Sequence, residues 1–110
     1  MDYLHELMPR FYINMKRYLD SEWPELSPQL DTLIVTRRCG CEDPNCTDFS
    51  VKQTSNKYQK QKGVIHYYDT SIQEIHPTLA IQGDNYLKGF EITNDYRDGY
   101  INRCLEKRFG

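Results

Sequence analysis

Three cysteines stand close together in the stretch Cys39-Gly40-Cys41-Glu42-Asp43-Pro44-Asn45-Cys46, between two segments that read as β-strands. This C-x-C-x4-C spacing constrains the fold more than any other feature of the chain. Gly40 lets the backbone turn sharply between two thiols, and Pro44 and Asn45 favour a second turn that brings Cys46 back. The flanking strands then form a wide hairpin with three sulfurs at its tip. Zinc takes four ligands in a tetrahedron, commonly cysteine or histidine. Cys104, far along the chain, is the obvious fourth ligand to Cys39, Cys41 and Cys46, with His66 and His76 as others. A site closed by Cys104 would be structural, because no position stays open for chemistry. Two other readings stand beside the metal. Cysteine packs as a small hydrophobe, so the thiols can simply be free and buried. The spacing also lacks the paired C-x2-C knuckles of common zinc sites. A redox pair is the third reading. It would join Cys41 or Cys46 to another partner, since Cys39 and Cys41 are too close in sequence for an unstrained bridge.

The segments around the cysteines predict an α+β domain. Leu4, Leu7, Met8, Phe11, Met15, Tyr18 and Leu19 recur at helical steps. Pro9 suits a first turn but not a helix interior, so the main helix is expected at residues 9–20 after a short broken turn. Trp23-Pro24 and Ser27-Pro28 mark a loop, with Trp23 filling a gap beside the helix. Strands are expected at 31–38, 47–53, 64–68, 78–81 and 86–93. In the second of these, Phe49, Val51 and Gln53 alternate with Asp48, Ser50 and Lys52. Residues 54–63 read as a mobile polar loop, and Gly83-Asp84-Asn85 as a turn. Asn94 or Asp95 can cap a last helix bearing Tyr96, Tyr100, Ile101, Cys104 and Leu105 on one stripe, with Gly99 as a weak point inside it. The expected whole is a single domain over residues 1–110. It has one mainly antiparallel sheet of about five strands and a helix near each end.

The cysteine spacing resembles the zinc-binding post-SET segment of protein methyltransferases, which also borrows a distant fourth cysteine. Only Cys39, Cys41 and Cys46 match; the other motifs of those enzymes are absent. A broader likeness covers about residues 31–105. Arg38-Cys39-Gly40-Cys41, Cys46-Thr47-Asp48-Phe49 and Lys88-Gly89-Phe90-Glu91-Ile92 resemble a set of small, mostly uncharacterised bacterial proteins. Those proteins carry a strand running into R-C-G-C-G, then C-x-x-F, then a late G-x-E-I strand. Glu42 stands where glycine is usual. The likeness implies a domain type and no activity.

Charge decides among functional classes. The net charge is −2 over 110 residues, which disfavours a general binder of nucleic acid or of membrane surfaces. Leu33-Ile34-Val35 is too short an apolar run to span a bilayer. No secretory leader is legible, so a cytoplasmic location is expected. No G-x-S-x-G, H-E-x-x-H or glycine-rich phosphate loop is present. Asp69 with Glu74 reads as two solvated charges rather than an acid–base pair. The acidic neighbours Glu42 and Asp43 disfavour a nucleophilic Cys41 thiolate. The expected role is therefore non-enzymatic protein binding, of the immunity type that blocks the active site of a toxin or effector domain, often a nuclease. Glu42, Asp43, Asp48, Asp69 and Glu74 are the expected contact residues, because acidic charge speeds encounter with a basic cleft. Nucleic-acid binding through Lys52–Lys62 with Tyr58, and a small structural domain that dimerises through a sheet edge, are the alternatives.

Overall fold

The computed structural model of the chain describes residues 1–43 and 46–110. Pro44 and Asn45, and the turn expected of them, lie outside the described residues. The apolar steps at the start of the chain form two helices, α1 (Leu4–Leu7) and α2 (Pro9–Glu22). The break falls at Met8, whose ψ of 65° is not helical, and Pro9 opens the next helix where its missing N–H costs nothing. Leu4, Met8, Phe11, Met15 and Leu19 are all fully buried. Residues 31–32, expected as strand, instead complete a 3-10 helix at Ser27–Thr32, started by Pro28.

That short helix carries the buried Gln29, which fixes two elements at once. Its side chain donates to the Asn85 carbonyl at 2.8 Å and accepts from the Leu87 amide at 2.9 Å. Its own carbonyl accepts from the Gln53 side chain at 3.1 Å. Alanine at Gln29 leaves the Leu87 amide without its acceptor, and a stability loss of about 1–3 kcal/mol is expected in urea unfolding.

Five strands form where alternation and turn signals place them: β1 (Leu33–Arg38), β2 (Phe49–Gln53), β3 (Ile65–Asp69), β4 (Thr78–Gln82) and β5 (Tyr86–Glu91). They do not make one sheet. β1 pairs antiparallel with β2, and β3-β4-β5 form a separate antiparallel sheet. The expected single five-stranded sheet is thus corrected to two small ones. β2 lies against β5, but side chains fill the seam. Phe49 and Phe90 both set their rings edge-on to Phe11, at 6.0 and 5.2 Å, and an atom at the Cβ position of Gly89 would stand 3.4 Å from Val51. Register shifts at Val35/Arg37 and Ala80/Ile81 interrupt both ladders. Such irregularities increase local twist, which carries neighbouring edges out of hydrogen-bonding alignment.

The helices close the core. The last helix, α3, runs over Tyr100–Phe109 and buries Ile101 and Leu105. It begins later than the sequence suggested: Gly99 precedes it with φ of 68°, a left-handed residue rather than an interior weak point. Asp95 caps it from a distance, accepting from the amides of Ile101 at 2.8 Å and Asn102 at 2.9 Å. The loop expected to be mobile is anchored at its far end. Gln61 accepts from the Asp84 amide at 2.8 Å and packs so tightly on Gly83 (φ +65°) that a Cβ there would lie 2.2 Å from its side-chain oxygen. Among the described residues no helix is long and apolar enough to cross a membrane.

Two tyrosines give the fold a pH limit. Burial, reinforced by the hydrogen bond to Asp31, pushes the Tyr12 phenol up to about 12. Burial likewise pushes Tyr100 to about 12, against the opposing hydrogen bond from the Arg10 amide. In the unfolded chain these phenols ionise near 10.0. Between those values the folded state holds more protons than the unfolded state, so stability falls as pH rises. The melting temperature is expected to drop from pH 10 toward 12, and to drop less steeply in Tyr12→Phe.

Candidate metal centre

Strand pairing positions the cysteines. β1 ends at Arg38 opposite Phe49 of β2, so Cys39 leaves the ladder just as the returning strand arrives. The Cys39 amide donates to the Asp48 carbonyl at 3.0 Å, and the Cys46 amide to the Asp43 carbonyl at 3.2 Å. Thr47, only 6% exposed, donates its hydroxyl to the Ile92 carbonyl at 3.3 Å. Arg38 hydrogen-bonds Asn102 of α3. The hairpin tip is therefore tied to the end of β5 and to the last helix.

The sulfurs of Cys39, Cys41 and Cys46 all lie within 4.8 Å of one another. Two thiolates at 2.3 Å from one zinc ion stand about 3.8 Å apart at the tetrahedral angle, so little movement separates this cluster from a coordination shell. No disulfide joins the described cysteines. Cys41 is exposed, and Cys39 and Cys46 are half-buried.

Cys39 and Cys46 differ in how readily they ionise. The backbone hydrogen bond at Cys41, then the Cys41 and Cys46 thiols, hold the Cys39 thiol below its ordinary value. The backbone hydrogen bond at Asp48 favours the Cys46 thiolate. The Cys41 hydrogen bond, burial and the charge on Cys39 outweigh it and push Cys46 up to about 11. The thiolate is thus favoured at Cys39 and disfavoured at Cys46. A divalent cation would override that difference, because each ligating thiol is deprotonated by the metal itself.

Cys104 is not one of the three gathered sulfurs. It lies on α3 beside a hollow formed with Leu7, Pro9 and Tyr100. Burial raises its thiol above the usual range, against a hydrogen bond with Tyr100. The expected fourth thiolate is replaced there by packing on a helix stripe. His66 and His76 are exposed and outside the cluster as well.

No protein-family model, curated protein or solved structure matches this chain.

The acidic residues singled out from the sequence divide into two groups. Glu42 and Asp43 line the hollow of Cys39 and Cys41, and Glu106 of α3 joins them there. Asp43 and Asp48 line a second hollow with Cys46 and Glu91. The β-sheet register extends this group, because Asp69 pairs with Thr78 and Thr78 with Glu91. Asp69 also accepts from the Thr78 hydroxyl at 3.0 Å. Glu74 belongs elsewhere: it pairs with Arg10 at 3.0 Å, and Arg10 also holds Asp98 at 2.9 Å and lies over the Tyr96 ring. Sequence reasoning missed Glu91 and Glu106. The first was legible as the outward residue between Phe90 and Ile92; the second needed the placement of α3.

Proposed function

We propose that Cys39, Cys41 and Cys46 hold a structural zinc ion, and that the domain is a non-enzymatic binding protein whose metal-braced acidic end engages a basic surface on another protein. The approach of three sulfurs to within 4.8 Å supports this reading above all else. Thiolates select zinc over harder cations. The carboxylates of Glu42, Asp43 and Glu106 in the same hollow offer an oxygen donor for the fourth position. Bound there, zinc would fix the tip of the hairpin and with it the placement of Asp43 and Asp48.

A basic active-site cleft is the surface such an end suits, as in the toxin or effector domains neutralised by immunity-type inhibitors. Charge of this kind accelerates encounter and rejects acidic competitors. Cobalt(II) titration tests the metal: thiolate-to-metal charge-transfer absorption is expected to saturate at one equivalent. Reversal of Asp48 and Glu91 to lysine tests the surface, with slower association to the inhibited partner and retained zinc as the expected result. A protein that gives no thiolate–cobalt absorption does not use the cluster as proposed.

One observation favours nucleic-acid binding instead. Lys57, Tyr58 and Lys60 line one hollow of about 480 Å³ with Gln29, Asn85 and Tyr86. Lysine meets phosphate and tyrosine stacks on bases. Binding to short single strands that weakens steeply with salt would establish this second reading.

A further inference from the structure

The two sheets treat their edges differently. The N-terminal segment covers β1, through a bridge between Tyr3 and Ile34 and a 2.7 Å bond from the Val35 amide to the Asp2 carbonyl. β2 and β5 lie against each other. Among the described residues, β3 has a partner on one side alone, β4.

The hydrogen-bond pattern shows which backbone groups of β3 are left. Thr70 donates to the Pro77 carbonyl, and Gly83 donates to the Val64 carbonyl, so residues 64 and 70 face β4. The alternation of an antiparallel ladder then turns His66 and Tyr68 toward β4 as well. The amides and carbonyls of Ile65, Tyr67 and Asp69 point to the open side.

This edge lacks several of the usual protections. β3 contains no proline or lysine and its pairing with β4 has no register shift, although such devices are how open edges avoid pairing. The exposed large hydrophobic side chains of the described chain are Met1, Ile13, Val64, Tyr67 and Tyr68, and the last three lie on or next to β3. Val64 is 71% exposed, Tyr67 55% and Tyr68 44%.

The strand is also complementary to itself. Lys62 precedes it and Asp69 ends it, both exposed. Antiparallel pairing of two copies brings unlike charges together at each end; parallel pairing brings like charges together. A two-fold axis at His66 sets Ile65 opposite Tyr67 of the second copy in a hydrogen-bonded pair. It sets Val64 opposite Tyr68 of the second copy, and Asp69 opposite Gly63 of the second copy. Apolar–aromatic cross-strand pairs of this kind stabilise antiparallel sheets.

We propose that two copies of this chain associate through antiparallel pairing of β3 with β3, joining their three-stranded sheets into one of six. The proposal does not depend on the metal.

Light scattering and sedimentation of the full chain at roughly 10–200 μM, which spans the weak end of stable interfaces, test it. A mass near twice 13.1 kDa is expected at the upper concentrations. The double substitution Val64→Lys/Tyr67→Lys is expected to give a monomer of 13.1 kDa with an unchanged circular dichroism spectrum. A backbone substitution supplies a second readout that does not depend on added charge. Tyr67→Pro removes an amide that points to the open side and that β4 does not use, so it is expected to weaken association while the three-stranded sheet is retained. A wild-type protein that stays at 13.1 kDa throughout, whether or not it binds another protein or a nucleic acid, overturns the proposal. So does a dimer that survives the double lysine variant.

Discussion

Phe11→Ala is expected to lower the unfolding free energy by about 3–5 kcal/mol, the range for deleting a buried phenyl ring. Phe11 is fully buried and meets both sheets at once: its ring stands edge-on to Phe49 of β2 and to Phe90 of β5. The β2–β5 seam is held by side chains, so no ladder there resists the loss. Alanine opens a cavity where the two sheets and α2 meet, and relaxation can fill it only by moving one sheet against the other. Leucine at the same site keeps most of the volume and should cost clearly less. Urea unfolding followed by tryptophan fluorescence reports both variants, because Trp23 ends α2 and packs edge-on against Tyr68 of the three-stranded sheet at 5.3 Å.

Cys41→Ser is expected to release zinc and to remove most of the stability that zinc confers. Linkage sets the size: ligand at a thousand times its dissociation constant adds about 4 kcal/mol to a folded state that alone binds it. For a domain of this length that corresponds to about 10–25 °C in melting temperature. Cys41 is the clean position because it is exposed, so serine disturbs little packing when no metal is present. Cys39→Ser and Cys46→Ser should release zinc equally, with an added cost because both are half-buried. Cys104→Ser separates the two roles of cysteine in this chain. Its thiol packs near Leu7, Pro9 and Tyr100, outside the cluster, so zinc should stay bound in that variant.

Much of the architecture was legible because period and turn chemistry act locally. The helical steps of Leu4, Met8, Phe11, Met15 and Leu19 became a buried stripe, and Pro9 marked the start of α2. All five strands lie where alternation placed them, to within a few residues at their ends. The division into two sheets was not legible. It depends on Phe49, Phe90 and Val51 filling the seam and on register shifts in two ladders. Both are consequences of tertiary packing, which residue alternation does not encode.

The candidate site divides in the same way. The approach of Cys39, Cys41 and Cys46 follows from their short spacing on a hairpin, so sequence was enough. The position of Cys104 follows from the angle at which α3 meets the sheets, and its stripe residues announced only that it would be half-buried. Glu74 was grouped with the acidic contact residues by sequence proximity to Asp69. Arg10, distant in sequence, claims it instead. Open edges are likewise a property of topology: nothing in Ile65–Asp69 itself says that only one neighbour will arrive.

The metal carries the central claim, and native mass spectrometry of the protein purified under reducing conditions without added metal tests it most directly. One zinc ion per chain is predicted, lost together with about 10–25 °C of melting temperature on treatment with a strong chelator. A metal-free mass, with the same melting curve before and after chelator and after addition of zinc, would contradict it.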